Sequence, residues 1–158
     1  MNKKKEEFIF CPLGGSGEIG MNMNLFAYGN LENRKWIIVD IGVTFADDTI
    51  PGIDLIYPDP GFIVEKKDDL VGLVLTHAHE DHIGAIAHIW PKLLCDIYAT
   101  PFTSVLIKEK LNELILPTRN EQDLVKIFKL MDSWPPKHCG FLLSNELRPC
   151  FENFCLAF

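Results

Sequence analysis

The segment Thr76-His77-Ala78-His79-Glu80-Asp81-His82 is the part of this sequence best suited to chemistry. Three histidines and one aspartate fall within six consecutive positions. Imidazole nitrogens suit a borderline ion such as zinc, and a carboxylate suits a second, harder cation. A turn would aim the alternate side chains His77 and His79 at one point, while Asp81 and His82 reach a neighbouring one. Two divalent cations about 3.5–4 Å apart activate water and stabilise both the attacking and the leaving oxygen of a displacement. The pattern reads as metal ligation by His77, His79, Asp81 and His82, and the chemistry as hydrolysis. His88, alone on the segment that follows, reads as a structural residue.

A second motif competes with the first. Gly15-Ser16-Gly17-Glu18-Ile19-Gly20 is a literal GxGxxG after an apolar run, and Asp40 lies twenty residues beyond Gly20. That is the fingerprint of a dinucleotide-binding unit. Such a unit needs a helix opening at the third glycine, because its first N–H groups hold the pyrophosphate. Met21–Asn33 has four asparagines, a Gly29-Asn30 turn and no apolar stripe of helical period. It reads as extended, and no dinucleotide is expected. The glycines instead let the backbone turn tightly beside the histidine cluster.

Strands alternating with helices must position these residues. Phe8–Leu13 predicts a strand entering the glycine-rich turn, and Met23–Tyr28 and Trp36–Asp40 predict two more, joined as a hairpin. A long loop runs from Gly42 to Pro60, marked by Pro51-Gly52, Pro58 and Pro60. Asp68–Thr76 holds the unbroken apolar run Leu70–Leu75 of a strand buried on both faces, and the histidine cluster sits at its end. Ile83–Trp90 has helical spacing and is expected to close at Pro91. Leu94–Ala99 predicts a short strand and Pro101–Leu114 a helix, with Glu121–Met131 as one further helix. The alternation predicts an α/β (α+β) fold.

Composition narrows the functions. With 15 Lys+Arg against 22 Asp+Glu, the formal net charge is −7, so no broad basic stripe is available to displace counterions from nucleic-acid phosphates. A metal-dependent nuclease is compatible with that balance, because bound divalent cations reverse the field inside a cleft. The 158 residues, 47% of them hydrophobic, suit one domain of average size. No apolar run approaches the ~20 residues that span a bilayer. Lys3, Lys4 and Lys5 are followed by Glu6 and Glu7, and the apolar stretch after them is shorter than a signal peptide requires. A cytoplasmic protein without membrane contact is expected. Five scattered cysteines (Cys11, Cys95, Cys139, Cys150 and Cys155) form no CxxC pair and read as buried residues or free thiols.

The HxHxDH pattern resembles the second motif of metallo-β-lactamase-fold hydrolases, and Val39-Asp40-Ile41-Gly42 resembles their first. The run Leu13-Gly14-Gly15-Ser16-Gly17-Glu18-Ile19-Gly20-Met21-Asn22-Met23 is similar to the opening of ribonuclease J, a β-CASP-type ribonuclease family. Phe45-Ala46-Asp47-Asp48, Pro51-Gly52-Ile53-Asp54-Leu55 and Pro58-Asp59 also resemble that family's loop. The resemblance covers residues 8–115. It implies the N-terminal half of a metallo-β-lactamase αβ/βα sandwich, with a mixed sheet and flanking helices. It further implies that His77 and His79 serve one Zn2+ and that Asp81 and His82 serve another. Asp40, by residue type alone a turn residue ending its strand, would support a ligand from behind. The implied activity is zinc-dependent hydrolysis of RNA, in 5′-3′ exonuclease or endonuclease mode.

Three divisions are expected: a flexible N-terminus over 1–7, a partial metallo-β-lactamase domain over 8–115, and a divergent tail over 116–158. The resemblance implies a further histidine, a bridging aspartate, a late histidine and an inserted domain, and no segment after Leu116 resembles them. The expectation is a truncated chain lacking the second half of the fold, weakly active or inactive. A non-catalytic remnant or binding module, and another hydrolase of the same fold, stand as alternatives. His138, Cys139, Cys150 and Cys155 have no usual zinc spacing. Trp134 reads as a residue covering an edge rather than as a base-stacking platform.

Overall fold

The molecule is described from a computed structural model over residues 5–47, 49–115 and 128–130. Strands β1 (Glu7–Gly14), β2 (Met23–Gly29) and β3 (Lys35–Val39) form an antiparallel meander. Two short strands, β4 (Thr44–Phe45) and β5 (Leu55–Ile56), pair with each other inside the long loop. After helix α1 (Gly61–Glu65) comes β6 (Leu70–Val74), parallel to β3. Helices α2 (Glu80–Ile83) and α3 (Ile86–Leu93) lead to β7 (Ile97–Ala99), parallel to β6. Helix α4 (Pro101–Ile115) follows, and β8 (Phe128–Leu130) adds in parallel beside β7. The result is one mixed six-stranded sheet in the order β1-β2-β3-β6-β7-β8.

The period-2 alternation of the strands divides their side chains between two apolar clusters. Met23, Leu25, Ala27, Ile38 and Leu73 join Ile86, Ile89 and Trp90 of α3 and Ile107 and Leu111 of α4 on one side. Phe26, Ile37, Val39, Val74 and Tyr98 form the other. Neighbouring residues of β6 thus belong to opposite clusters, which is why Leu70–Leu75 reads as a continuous apolar run. The expected mixed sheet with flanking helices is what the chain builds.

Three expectations need correction. The helix expected over Ile83–Trp90 is two pieces: α2 begins inside the histidine motif, and α3 runs through Pro91 to Leu93. Pro91 sits near the helix end, where its missing N–H forfeits one bond, while buried Trp90 and Leu93 hold that turn on the core. The helix expected over Glu121–Met131 is not formed at Phe128–Leu130, which pairs with Ile97–Ala99 as a strand; tertiary pairing overrides the local pattern there. The Gly42–Pro60 loop contains the β4–β5 ladder. After Gly20 the chain enters β2 and not a helix, so the pyrophosphate-binding geometry of a dinucleotide fold is not built. Among the described residues no helix is long and apolar enough to cross a membrane. The expectations for His138, Cys139, Cys150, Cys155, Trp134, and Lys3 and Lys4 lie outside the described residues.

Candidate metal centre

Three segments far apart in sequence are bound together by backbone hydrogen bonds beneath the histidine motif. The extension of β3 supplies Ile41 N–H to the His82 carbonyl (2.8 Å), Gly42 N–H to the Asn22 carbonyl (2.8 Å) and Val43 N–H to the Glu80 carbonyl (3.0 Å). The end of the glycine-rich loop supplies Asn22 N–H to the Asp81 carbonyl at 3.0 Å. This approach is so close that a Cβ on Gly42 would lie 1.6 Å from the Asp81 carbonyl oxygen. Glycine is required there for space.

Asp40 ends β3 with φ at +65°, a left-handed conformation that aspartate tolerates better than most residues. The residue is 3% exposed and its carboxylate is fully engaged. Oδ1 accepts the Thr76 N–H at 2.9 Å, and Oδ2 accepts from His82 Nδ1 at 2.7 Å. The Thr76 hydroxyl lies 3.0 Å from Oδ1 and 2.9 Å from Oδ2. The strand-terminating aspartate therefore grips both the first and the last residue of the histidine segment. With Nδ1–H given to Asp40, neutral His82 keeps its lone pair on Nε2.

The four predicted donors meet as two pairs. His77 Nε2 lies 3.1 Å from His79 Nδ1, and His82 Nε2 lies 3.3 Å from Asp81 Oδ2. Donors about 2.0–2.1 Å from one zinc ion stand about 2.9–3.4 Å apart for angles between square and tetrahedral. Both pairs have that spacing, and their chemistry fits a borderline cation. The pairs adjoin, since the His77 ring centroid is 4.0 Å from that of His82 and 4.6 Å from that of His79. Among the described residues, however, no group of three or more His, Cys, Asp or Glu converges as a metal cage. Each pair supplies two donors, fewer than the three or four protein ligands of a zinc site.

Electrostatics separate the two half-buried imidazoles. Burial lowers the affinity of His77 for a proton, and the neighbouring His82 and His79 lower it further, so its neutral, ligating form is favoured. Burial acts on His82 in the same direction, but the Asp40 hydrogen bond and the charges of Asp40 and Asp81 outweigh it and raise its pKa above the usual histidine value.

Two contributors were not singled out from the sequence. The Asn22 amide Nδ2 donates to the Asp81 carbonyl (3.1 Å) and lies 3.4 Å from both Asp81 Oδ2 and His82 Nε2. The Thr76 hydroxyl lies 3.0 Å from His77 Nδ1. The only available signal was position: Asn22 is a polar residue between the glycine run and an apolar strand, and Thr76 directly precedes the motif. Glu80, inside the motif, turns away and pairs with Lys110 of α4 at 2.7 Å. His88 is exposed and stacks on Tyr57 with centroids 5.3 Å apart. Cys11 and Cys95 are free and half-buried, and burial pushes the Cys95 thiol up to about 12.

The profile of the Metallo-beta-lactamase superfamily matches residues 26–108, which carry Asp40 and the whole histidine motif. The chain belongs to the metallo-beta-lactamase superfamily. Its relatives within that superfamily bear out the resemblance to the ribonuclease J family. Ribonuclease J of Sinorhizobium meliloti is 50% identical over 105 residues, covering 66% of this chain and 19% of the relative. Ribonuclease J of Helicobacter pylori is 38% identical over 109 residues, 69% of this chain and 15% of the relative. Ribonuclease J 2 of Staphylococcus aureus is 36% identical over 111 residues, 70% of this chain and 19% of the relative. The chain thus spans about a fifth or less of the length of these curated relatives. Metal dependence follows from the superfamily and these relatives.

Proposed function

We propose that this chain carries half of the metal centre of a zinc-dependent ribonuclease, with RNA as substrate. The observation that supports this most directly is the pairing of His77 with His79 and of Asp81 with His82, both backed by one buried carboxylate. When bound, zinc ions would supply Lewis acidity toward a phosphodiester and lower the pKa of water. His77 and His79 would hold one ion, and Asp81 and His82 a second. Asp40 holds the Nδ1 proton of His82 so that Nε2 faces outward as a lone pair. The low proton affinity of His77 keeps that ring available at neutral pH. Asn22 holds the Asp81 carbonyl with both its backbone N–H and its side-chain amide. Relatives named ribonucleases, similar across these residues, support RNA over a thioester or lactam substrate. A cytoplasmic location and the absence of membrane contact belong to the same reading.

Among the described residues each ion would have two donors, which leaves most of its shell to water, and affinity rises with a closed ligand set. On its own, this chain is therefore proposed to take up zinc weakly and to cleave RNA slowly or not at all, which shades into a non-catalytic binding role. The test is zinc titration of the purified chain together with cleavage of 5′-monophosphorylated RNA. Weak uptake that is reversed by chelator and lost in His77→Ala is expected. No uptake at millimolar zinc, or RNA cleavage indifferent to chelator, would overturn the reading.

A further inference from the structure

We propose that Thr76 is a positioning residue that relays Asp40 to His77, so that one buried carboxylate sets the tautomers of two ligand histidines, one directly and one through a hydroxyl. A threonine hydroxyl has a single hydrogen and two lone pairs. Four acceptor-capable atoms surround that of Thr76: Asp40 Oδ1 at 3.0 Å, Asp40 Oδ2 at 2.9 Å, His77 Nδ1 at 3.0 Å and His82 Nδ1 at 3.4 Å. An ionised carboxylate accepts only, and it is the strongest acceptor of the set. The hydroxyl proton therefore goes to Asp40, and a hydroxyl lone pair faces His77 Nδ1. Two lone pairs 3.0 Å apart would repel, so His77 Nδ1 carries the proton and donates to Thr76. His77 Nε2 is left bare, and by the same rule it accepts from His79 Nδ1–H 3.1 Å away. His82 reaches the same tautomer by a shorter route, giving Nδ1–H straight to Asp40 at 2.7 Å. Both rings thus present Nε2 as the ligating atom.

The consequence for zinc uptake rests on the metal-centre reading; the tautomer itself does not. The experiment uses the full chain, 15N-labelled and treated with chelator, and reads ring protonation by long-range 1H–15N NMR at a pH where the imidazoles are neutral. The expected result is Nδ1–H for both His77 and His82. In Thr76→Val, which keeps the shape and the backbone N–H to Asp40, His77 should move toward Nε2–H while His82 stays unchanged. Thr76→Ser should restore the wild-type signal. Zinc affinity should fall about 10- to 100-fold in the valine variant, as for other residues behind metal ligands, and recover in the serine variant. Nε2–H at His77 in the wild-type chain overturns the relay with no variant needed, as does a valine variant with the wild-type tautomer. A wild-type chain with the expected tautomers but no zinc uptake overturns the metal reading and leaves the relay standing.

Discussion

Gly42→Ala tests whether the packing beneath the motif is as tight as described. The methyl group would be placed 1.6 Å from the Asp81 carbonyl oxygen, 2.1 Å from its carbon and 2.8 Å from His82 N. All three are backbone atoms, so no flexible side chain can swing aside. Reaching even 3.0 Å requires the segments to part by about 1.4 Å, which breaks the bonds from Ile41 and Val43 to His82 and Glu80. Overpacking costs about 1–3 kcal/mol and each lost hydrogen bond about 1 kcal/mol. Against this, alanine restricts the unfolded chain and returns about 0.4–1 kcal/mol. The φ of Gly42 is outside the left-handed region, so dihedral strain adds nothing. The net expectation is a loss of about 2–5 kcal/mol, a large part of the ~5–15 kcal/mol that holds a domain folded. Urea unfolding should show a much lower midpoint, and zinc uptake should fall because Asp81 and His82 are displaced. A variant within about 0.5 kcal/mol of wild type would refute the close approach, since an unstrained glycine-to-alanine change gives at most a small gain.

Two further outcomes follow from the same geometry. Asp40→Asn keeps the volume but removes the negative charge and leaves one acceptor oxygen where Thr76 N–H and His82 Nδ1–H each need one; zinc affinity should drop about 10- to 100-fold, and a titration matching wild type would refute the role given to Asp40. In chelator, His77 and His82 should give the stability–pH profile two limbs. The raised pKa of His82 contributes stability that is complete below about pH 6.5 and is lost as pH rises through the folded value. The lowered pKa of His77 works oppositely: its contribution is complete above about pH 6.5 and is lost as pH falls through the folded value. His82→Gln should flatten the alkaline limb and His77→Gln the acid limb, as read from urea midpoints between pH 5 and 8; unchanged limbs would refute the assignments.

What could be read in the sequence was what local pattern encodes. The alternation in Met23–Tyr28, the continuous run Leu70–Leu75 and the cluster His77–His82 each carry their signal within a few residues; the strands stand where that signal puts them, and the histidine segment follows the end of β6. Asp40 was legible as a strand terminator and, by resemblance, as a supporting carboxylate; its grip on Thr76 as well as His82 was not. The role of Gly42 was hidden because it depends on a backbone 39 positions away, at Asp81. Asn22 and Thr76 were hidden for the same reason, being ordinary polar residues until the fold surrounds them with acceptors. Phe128–Leu130 shows the converse: helical spacing suggested by its neighbours yields to an open strand edge at β7.

The contact between Asn22 and Asp81 joins positions 59 residues apart. Contacts of such long range form late, after the chain entropy of closing the intervening loop has been overcome. On the ribosome, the histidine segment must emerge completely before the glycine-rich loop can meet it. Until then Asp40 has neither Thr76 nor His82 to bind, and the imidazoles of the growing polypeptide remain free to tumble and change tautomer. If the proposed centre binds zinc, ion selection is in this way deferred to the finished fold, since a cation met during synthesis finds only loose side chains.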